Sequence, residues 1–146
     1  MEGSNLTKIK IGGREIPLFY STWELIEIQE AIGCTVGQLR DEVFGIEQDF
    51  ETDTVKFGMM EDAGKLRKFA TLIRVLGNAG LEEEGQEPDL TDRWVLKHMR
   101  PGDILKYIQE MTLAINEAMK LEIKEKKDGP VDEILEEENR KKEQGS

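Results

Sequence analysis

The chain has 146 residues with 35% charged and 38% hydrophobic side chains, which allows one domain with a modest core and favours a helical protein over a β-sandwich. Its formal net charge of −11 argues against nucleic-acid binding through phosphate contacts and leaves a basic or neutral protein as the natural partner. No apolar run is long enough for a membrane span and the first residues lack the apolar stretch of a secretion signal, so we expect a cytoplasmic protein.

Residues 7–19 predict a β-hairpin, because apolar and polar side chains alternate on both sides of Gly12-Gly13. Pro17 has no N–H to donate to a strand ladder and is expected at the outer edge. A two-stranded hairpin is only marginally stable in water, so it must pack on another element, and the helix that follows is the nearest candidate.

That helix is predicted to begin at Ser21, which forms a capping-box pattern with Glu24, and to end at Gly33. Its core-facing stripe consists of Leu25, Ile28 and Ile32. Trp23 and Ile26 point elsewhere, and acidic residues flank Trp23 on the helix. Trp23 therefore has two interpretations: it packs under the hairpin, since it lies at the start of the helix, or it contacts a partner.

Thr35 and Gln38 repeat the capping pattern, so a short helix is expected at Val36–Phe44.

Two acidic segments further along the chain are predicted to be loops. Residues 41–62 then carry eight acids and one base, which predicts a solvated, mobile connector. Residues 81–92 carry six acids and no base, which predicts an exposed loop.

Three further helices are predicted from periodicity, at about Met60–Gly77, at Arg93–Arg100 and from Pro101 onward. The first of them is expected to end at its glycines, and its stripe is Leu66, Phe69, Ala70, Ile73 and Leu76. The last has the most regular stripe, formed by Ile104, Ile108, Met111, Ile115 and Met119 and widened by Leu105. Leu113 falls among polar residues of this helix, which makes it a candidate partner contact.

The expected fold class is mainly α with a small N-terminal β-hairpin (α+β). Residues 7–127 are predicted to form a single helical domain, and residues 128–146 a charged tail with too few apolar side chains to fold by itself. The acidic blocks 41–62, 81–92 and 128–146 carry −7, −6 and −4, so the rest of the chain is +6. Because this distribution places the acid in flexible segments, it argues against a rigid mimic of DNA.

The sequence offers little for catalysis or metal binding. Cys34 is the only cysteine and His98 the only histidine, so an intrachain disulfide is excluded and a zinc site would have to recruit carboxylates. No nucleotide-binding glycine motif, HExxH or paired CxxC occurs. We therefore predict a non-enzyme, with no catalytic residue, no cofactor and no metal, that acts through its surfaces.

Two stretches carry a family resemblance. "KIKIGGREIPLFYSTWELIEIQEAIG", residues 8–33, resembles the N-terminus of tail assembly chaperones from long-tailed (siphovirus-type) phages and prophages of Gram-positive bacteria. That family tends to open with a lysine/isoleucine hairpin and a Ser/Thr-capped helix rich in Leu and Glu. "RPGDILKYIQEMTLAINEAM", residues 100–119, looks like the final helix of the family. The likeness is one of element order and composition over about residues 7–121.

The resemblance implies a function. Such chaperones bind the tape measure protein, a long helical rod that aggregates readily, and keep it soluble until tail tube subunits polymerise around it. Many are also made in a longer, frameshifted form whose extra domain is thought to recruit the tail tube protein. The resemblance implies a protein of the host cytoplasm that is absent from the mature virion. We take Trp23, Ile26 and Leu113 as candidate contacts with the client.

Two other function classes fit the sequence. One is an acidic phage inhibitor that mimics DNA or blocks a host protein, which the net charge of −11 favours. The other is a virion component at the head–tail junction. The oligomeric state also stays open, because the stripes on the third and last long helices are able to close one core or to join two copies as a homo-oligomer.

Overall fold

The computed structural model describes residues 6–127, which form helices and two small antiparallel sheets. The strands are β1 (Lys8–Ile11), β2 (Arg14–Pro17), β3 (Ile46–Asp49) and β4 (Thr54–Phe57). The α-helices are α1 (Thr22–Ile32), α2 (Ala63–Glu83), α3 (Asp92–His98) and α4 (Ile104–Lys127). The predicted class, mainly α with a small N-terminal hairpin, is confirmed, and the predicted tail at 128–146 lies outside the described residues.

The described residues fall into two units. The first ends at Ala114 and contains both sheets, helices α1 to α3 and the first turns of α4. The second begins at Ile115 and is helical as far as Lys127. Fully buried side chains of the first unit include Ile9 of the N-terminal hairpin, Ile28 of α1, Phe69 and Leu72 of α2, and Met111 of α4.

The N-terminal hairpin forms as predicted, with β1 and β2 antiparallel and a two-residue turn at Gly12-Gly13. The φ angles of these glycines are +60° and +79°, the left-handed conformation that such turns require and that a Cβ disfavours. Strand alternation then buries Ile9, Ile11 and Ile16 completely. This apolar face accounts for the hairpin's need of a packing partner.

Helix α2, rather than the helix that follows the hairpin, provides the main surface on which β2 packs. The two backbones touch. The N–H of Phe19 donates to the carbonyl oxygen of Leu76 at 3.0 Å. Four residues further along α2, a Cβ at Gly80 would overlap the carbonyl group of Pro17. Glycine at this position is therefore required by the close approach of the chain and not by backbone conformation.

The predicted end of α2 at Gly77 is wrong, because the helix continues to Glu83. Glycine usually signals a helix terminus, but here it provides room inside the helix. A Cβ at Gly77 would lie 2.6 Å from Cδ1 of Leu90 and 2.9 Å from Cγ2 of Ile16. The acidic loop predicted from residue 81 consequently begins only after Glu83.

Both ends of α1 agree with the sequence. Ser21 and Glu24 form the predicted capping box, and Gly33 adopts a φ of +82° after the last turn. The next predicted helix, Val36–Phe44, is irregular: a 3₁₀ turn is followed by a π-helical turn that ends at Gly45. The wider turn places Phe44 in the core, where its ring packs edge-to-face on that of Phe69 at 5.7 Å between centroids.

The predicted mobile connector at 41–62 is wrong in its central part, because residues 46–57 form a second β-hairpin. The N–H of Gly58 donates to the carbonyl oxygen of Gly45 at 2.7 Å and closes the base of this hairpin. At its tip, the Asp49 carboxylate accepts hydrogen bonds from two backbone N–H groups of the loop. The alternation of apolar and polar residues is weak in this segment, because no strand side chain of the hairpin is buried.

Asp92 joins α3 to α2. Its carboxylate accepts hydrogen bonds from Arg74 Nε at 2.5 Å and from the Thr71 hydroxyl at 2.6 Å. Arg74 lies opposite the predicted core stripe of α2, yet tertiary packing uses it for this half-buried ion pair. Thr91 caps α3 by accepting from the N–H of Trp94 at 3.0 Å.

The predicted stripe of α4 is buried at Ile104, Ile108, Met111 and Ile115. Two residues assigned to it are exposed instead, since Leu105 is 50% and Met119 49% accessible. Helical periodicity alone could not predict that these two side chains are exposed. It gives the position of the apolar face but neither the width nor the length of that face that other elements cover.

We predict that Gly80→Ala destabilises the protein by about 1–3 kcal/mol, since the added methyl group must displace the Pro17 carbonyl. Intrinsic helix propensity predicts the opposite sign, a gain of up to about 1 kcal/mol. Urea denaturation monitored by circular dichroism measures the difference. Gly102→Ala is the control, because a Cβ there meets nothing within 4 Å. A stabilised Gly80→Ala variant would contradict the close approach.

Candidate protein-binding surface

Trp23 and Ile26 lie on the outer face of α1. Trp23 is 67% exposed and Ile26 45% exposed, and their spacing of three residues puts them side by side. The interpretation that Trp23 packs under the hairpin is therefore wrong. The residue that turns inward at the start of α1 is Glu24, which is buried because its carboxylate completes the cap at Ser21.

A shallow groove of about 220 Å³ runs beside Trp23, between α1 and α2. Its charged lining consists of Glu24, Glu27, Glu82 and Arg74, and Val75, Ala79 and Pro88 provide apolar surface. An exposed indole next to such a groove can pack against an apolar side chain of a partner while the acidic rim repels other acidic surfaces.

Leu113 lies on a different surface. It is 49% exposed on α4, as predicted from its polar surroundings, and the groove beside Trp23 contains no residue of α4. The structure thus brings together two of the three candidate contacts, Trp23 and Ile26, and leaves the third apart from their groove.

Sequence reasoning missed a further exposed apolar set on and next to the second hairpin. Phe50 is 84% exposed, Val55 51% and Met60 44%. Phe50 lies in the loop between β3 and β4, and Val55 lies on β4. Alternation of Val55 and Phe57 with polar neighbours was the available signal, but the surrounding acid favoured a connector.

A small basic pocket was also not anticipated. It measures about 220 Å³ and contains Lys10, Arg100 and Lys106, with Asp103 as its only carboxylate. None of the three cations forms an ion pair within the described part of the chain. Tyr107 lies at the base, where its hydroxyl accepts a hydrogen bond from the N–H of Arg100 at 3.3 Å.

The only cysteine and the only histidine, the two most reactive side chain types here, both have structural roles. Cys34 is buried, and burial raises the pKa of its thiol although Lys68 opposes the change, so the reactive thiolate is disfavoured. The His98 ring stacks on Trp94 at 4.5 Å between centroids, and its Nδ1 lies 2.9 Å from the carbonyl oxygen of Trp94. Among residues 6–127 no group of three potential metal ligands comes together.

The carboxyl group of Glu110, one helical turn from Leu113, is in an environment that disfavours its ionised form. Burial raises the pKa of its carboxyl group above the ordinary value, and nearby Lys106 only partly opposes this. Its Oε2 atom is buried without a hydrogen-bond partner among the described residues. Because the folded-state pKa exceeds the unfolded one, the ionised carboxylate costs stability at neutral pH and costs nothing below the unfolded pKa.

We predict that Glu110→Gln stabilises the protein at pH 7 and that this gain disappears below about pH 4, where the carboxyl group is protonated in both states. Urea denaturation at the two pH values measures it. Glu83→Gln controls for the loss of one negative charge, because Glu83 is exposed. An equal gain at both pH values would show that ionisation of Glu110 is not the cause.

Within residues 6–127 no helix has the length and apolar character needed to cross a bilayer. The chain was compared with protein-family models, with curated proteins and with solved structures, and none of these comparisons gives a match.

Proposed function

We propose that this protein is a phage tail assembly chaperone that binds the tape measure protein and keeps it soluble while the tail tube assembles. The observation that carries the proposal is the exposure of Trp23, at 67%, on a capped helix that directly follows a Lys/Ile hairpin. This is the element order on which the resemblance to that family rests. In this proposal the chain is not an enzyme, acts in the host cytoplasm and is absent from the mature virion.

The physical properties of the surface suit reversible holding. Exposed apolar side chains on α1 and α4 offer contact area for the apolar stripes of a helical rod. A net charge of −11 keeps the complex soluble and repels other copies of the same complex. Because the apolar contacts are few and rimmed by charge, tail tube subunits that cover the same stripes can displace the chaperone.

We predict that Trp23→Ala weakens binding to the tape measure protein by about 2 kcal/mol, or roughly 30-fold, while the melting temperature stays unchanged because the indole packs little within the chain. Ile26→Ala and Leu113→Ala should weaken it less. The measurement is co-expression with the tape measure protein, followed by titration of the purified partners.

The matched control is Leu105→Ala, which removes a leucine of equal exposure from the same helix as Leu113. Equal effects of Leu105→Ala and Leu113→Ala would mean that no specific contact exists on α4. Failure of the wild-type chain to bind any such rod would remove the proposed function altogether.

A second candidate, an acidic inhibitor that mimics DNA, is favoured by one observation. Glu47 and Asp49 lie on an ordered strand rather than in a flexible connector, so part of the acid is rigidly arrayed. This function predicts binding to a basic DNA-handling protein that is abolished at raised salt, since exposed charge pairs are screened. Chaperone binding through Trp23 should persist at the same ionic strength.

A further inference from the structure

The second hairpin has little cover from the described part of the chain. Six of its eight strand residues are exposed and the other two are half-buried. Within residues 6–127 each strand has only the other as a neighbour in the sheet, so both outer edges lack a strand partner there. An isolated two-stranded hairpin is only marginally stable in water. A partner that packs on the exposed apolar side chains of this hairpin would therefore stabilise its fold.

The two faces of the hairpin differ in chemistry. The register pairs Ile46 with Phe57 and Gln48 with Val55 on one face, which is therefore mostly apolar. It pairs Glu47 with Lys56 and Asp49 with Thr54 on the other, which is therefore polar and carries two carboxylates against one amine.

A shallow, open depression of about 440 Å³ lies on this hairpin and is lined by Glu47, Gln48, Asp49, Phe50, Glu51 and Lys56. The lining carries a net charge of −2, and Lys56 forms no ion pair there among the described residues. An arginine or lysine of a partner would meet two carboxylates and an exposed aromatic face on which it can stack.

We propose that the β3–β4 hairpin binds an extended segment of a partner protein in which basic and apolar side chains alternate. Such a segment adds to an open strand edge through its backbone. Along the outer edge of β3, its alternation directs arginine or lysine toward Glu47 and Asp49 and directs apolar side chains to the opposite face, where Gln48 and, beyond it, Val55 lie. Charge complementarity selects this occupant, since residues 46–57 carry four acids and one base.

This surface is separate from the one on α1, and the inference goes beyond the tape measure function. The chemistry of the hairpin defines the segment that it binds. This proposal therefore does not require that the protein bound through α1 is the tape measure protein.

The test uses two synthetic peptides of identical composition and titrates each into the full-length chain. In the first, arginine and valine alternate over eight residues; in the second, the arginines form one block and the valines another. The proposal expects the alternating peptide to bind at least tenfold more tightly than the block peptide. Equal affinities would show general attraction to an acidic protein and would overturn it.

Matched variants locate the site. Glu47→Gln with Asp49→Asn should lower the affinity of the alternating peptide at least tenfold, and Asn keeps the oxygen that accepts from the loop N–H groups. Glu83→Gln with Glu87→Gln removes the same charge from another exposed acidic segment and should have little effect. An equal loss in both pairs would place the binding elsewhere and refute the proposal.

The apolar part is tested by Val55→Thr, which keeps a β-branched side chain of similar size. We expect a several-fold loss of affinity for the alternating peptide, against no change for Leu105→Gln, an equally exposed leucine of α4. If Val55→Thr binds like the wild type, the apolar face takes no part and the proposed alternation is wrong. Because no variant in this set alters Trp23, a negative result here leaves the chaperone proposal untouched.

Discussion

The fold depends on the direct contact between the N-terminal hairpin and the middle of α2. A two-stranded hairpin cannot hold an apolar face of three isoleucines by itself, so it must lie closely against another element. Gly80 lets the backbone of α2 approach the Pro17 carbonyl, and Gly77 makes room for Ile16 and Leu90. The hydrogen bond from the N–H of Phe19 to the Leu76 carbonyl holds the chain against α2 just before α1 begins. The orientation of Trp23 on α1 follows from this arrangement.

Apolar side chains fill the core between the first hairpin and α2, whereas the second hairpin carries exposed carboxylates. The side chains that face the hairpin and α2 are almost all apolar, and the carboxylates near them are used locally, as Glu24 is in its cap and Asp92 is in its ion pair with Arg74. In the second hairpin only Asp49 has such a use, in its own loop, and none of the hairpin's carboxylates forms an ion pair among the described residues. Because the ordered hairpin displays them together with Phe50 and Val55, this segment fits the proposed recognition surface better than a flexible linker.

Much of the local structure was predictable because it depends on neighbours in the chain. The turn at Gly12-Gly13, the capping box of Ser21 and the termination at Gly33 need only a few adjacent residues. The candidate contacts were partly predictable as well, since helical periodicity turns Ile26 and Leu113 away from the core. It could not decide whether Trp23 is covered, because that depends on where the hairpin lies.

The sequence by itself determined the helix stripes, the caps, the first hairpin and the excess of acid, since each arises from residue spacing and side-chain chemistry over short distances. Only the tertiary structure decided that α2 continues through its glycines and that residues 46–57 form a hairpin. It alone also decided that Trp23, Phe50 and Val55 are exposed. These outcomes depend on which backbones approach each other across the chain, and the same glycine that ends an isolated helix is retained within one when a neighbouring strand needs the space.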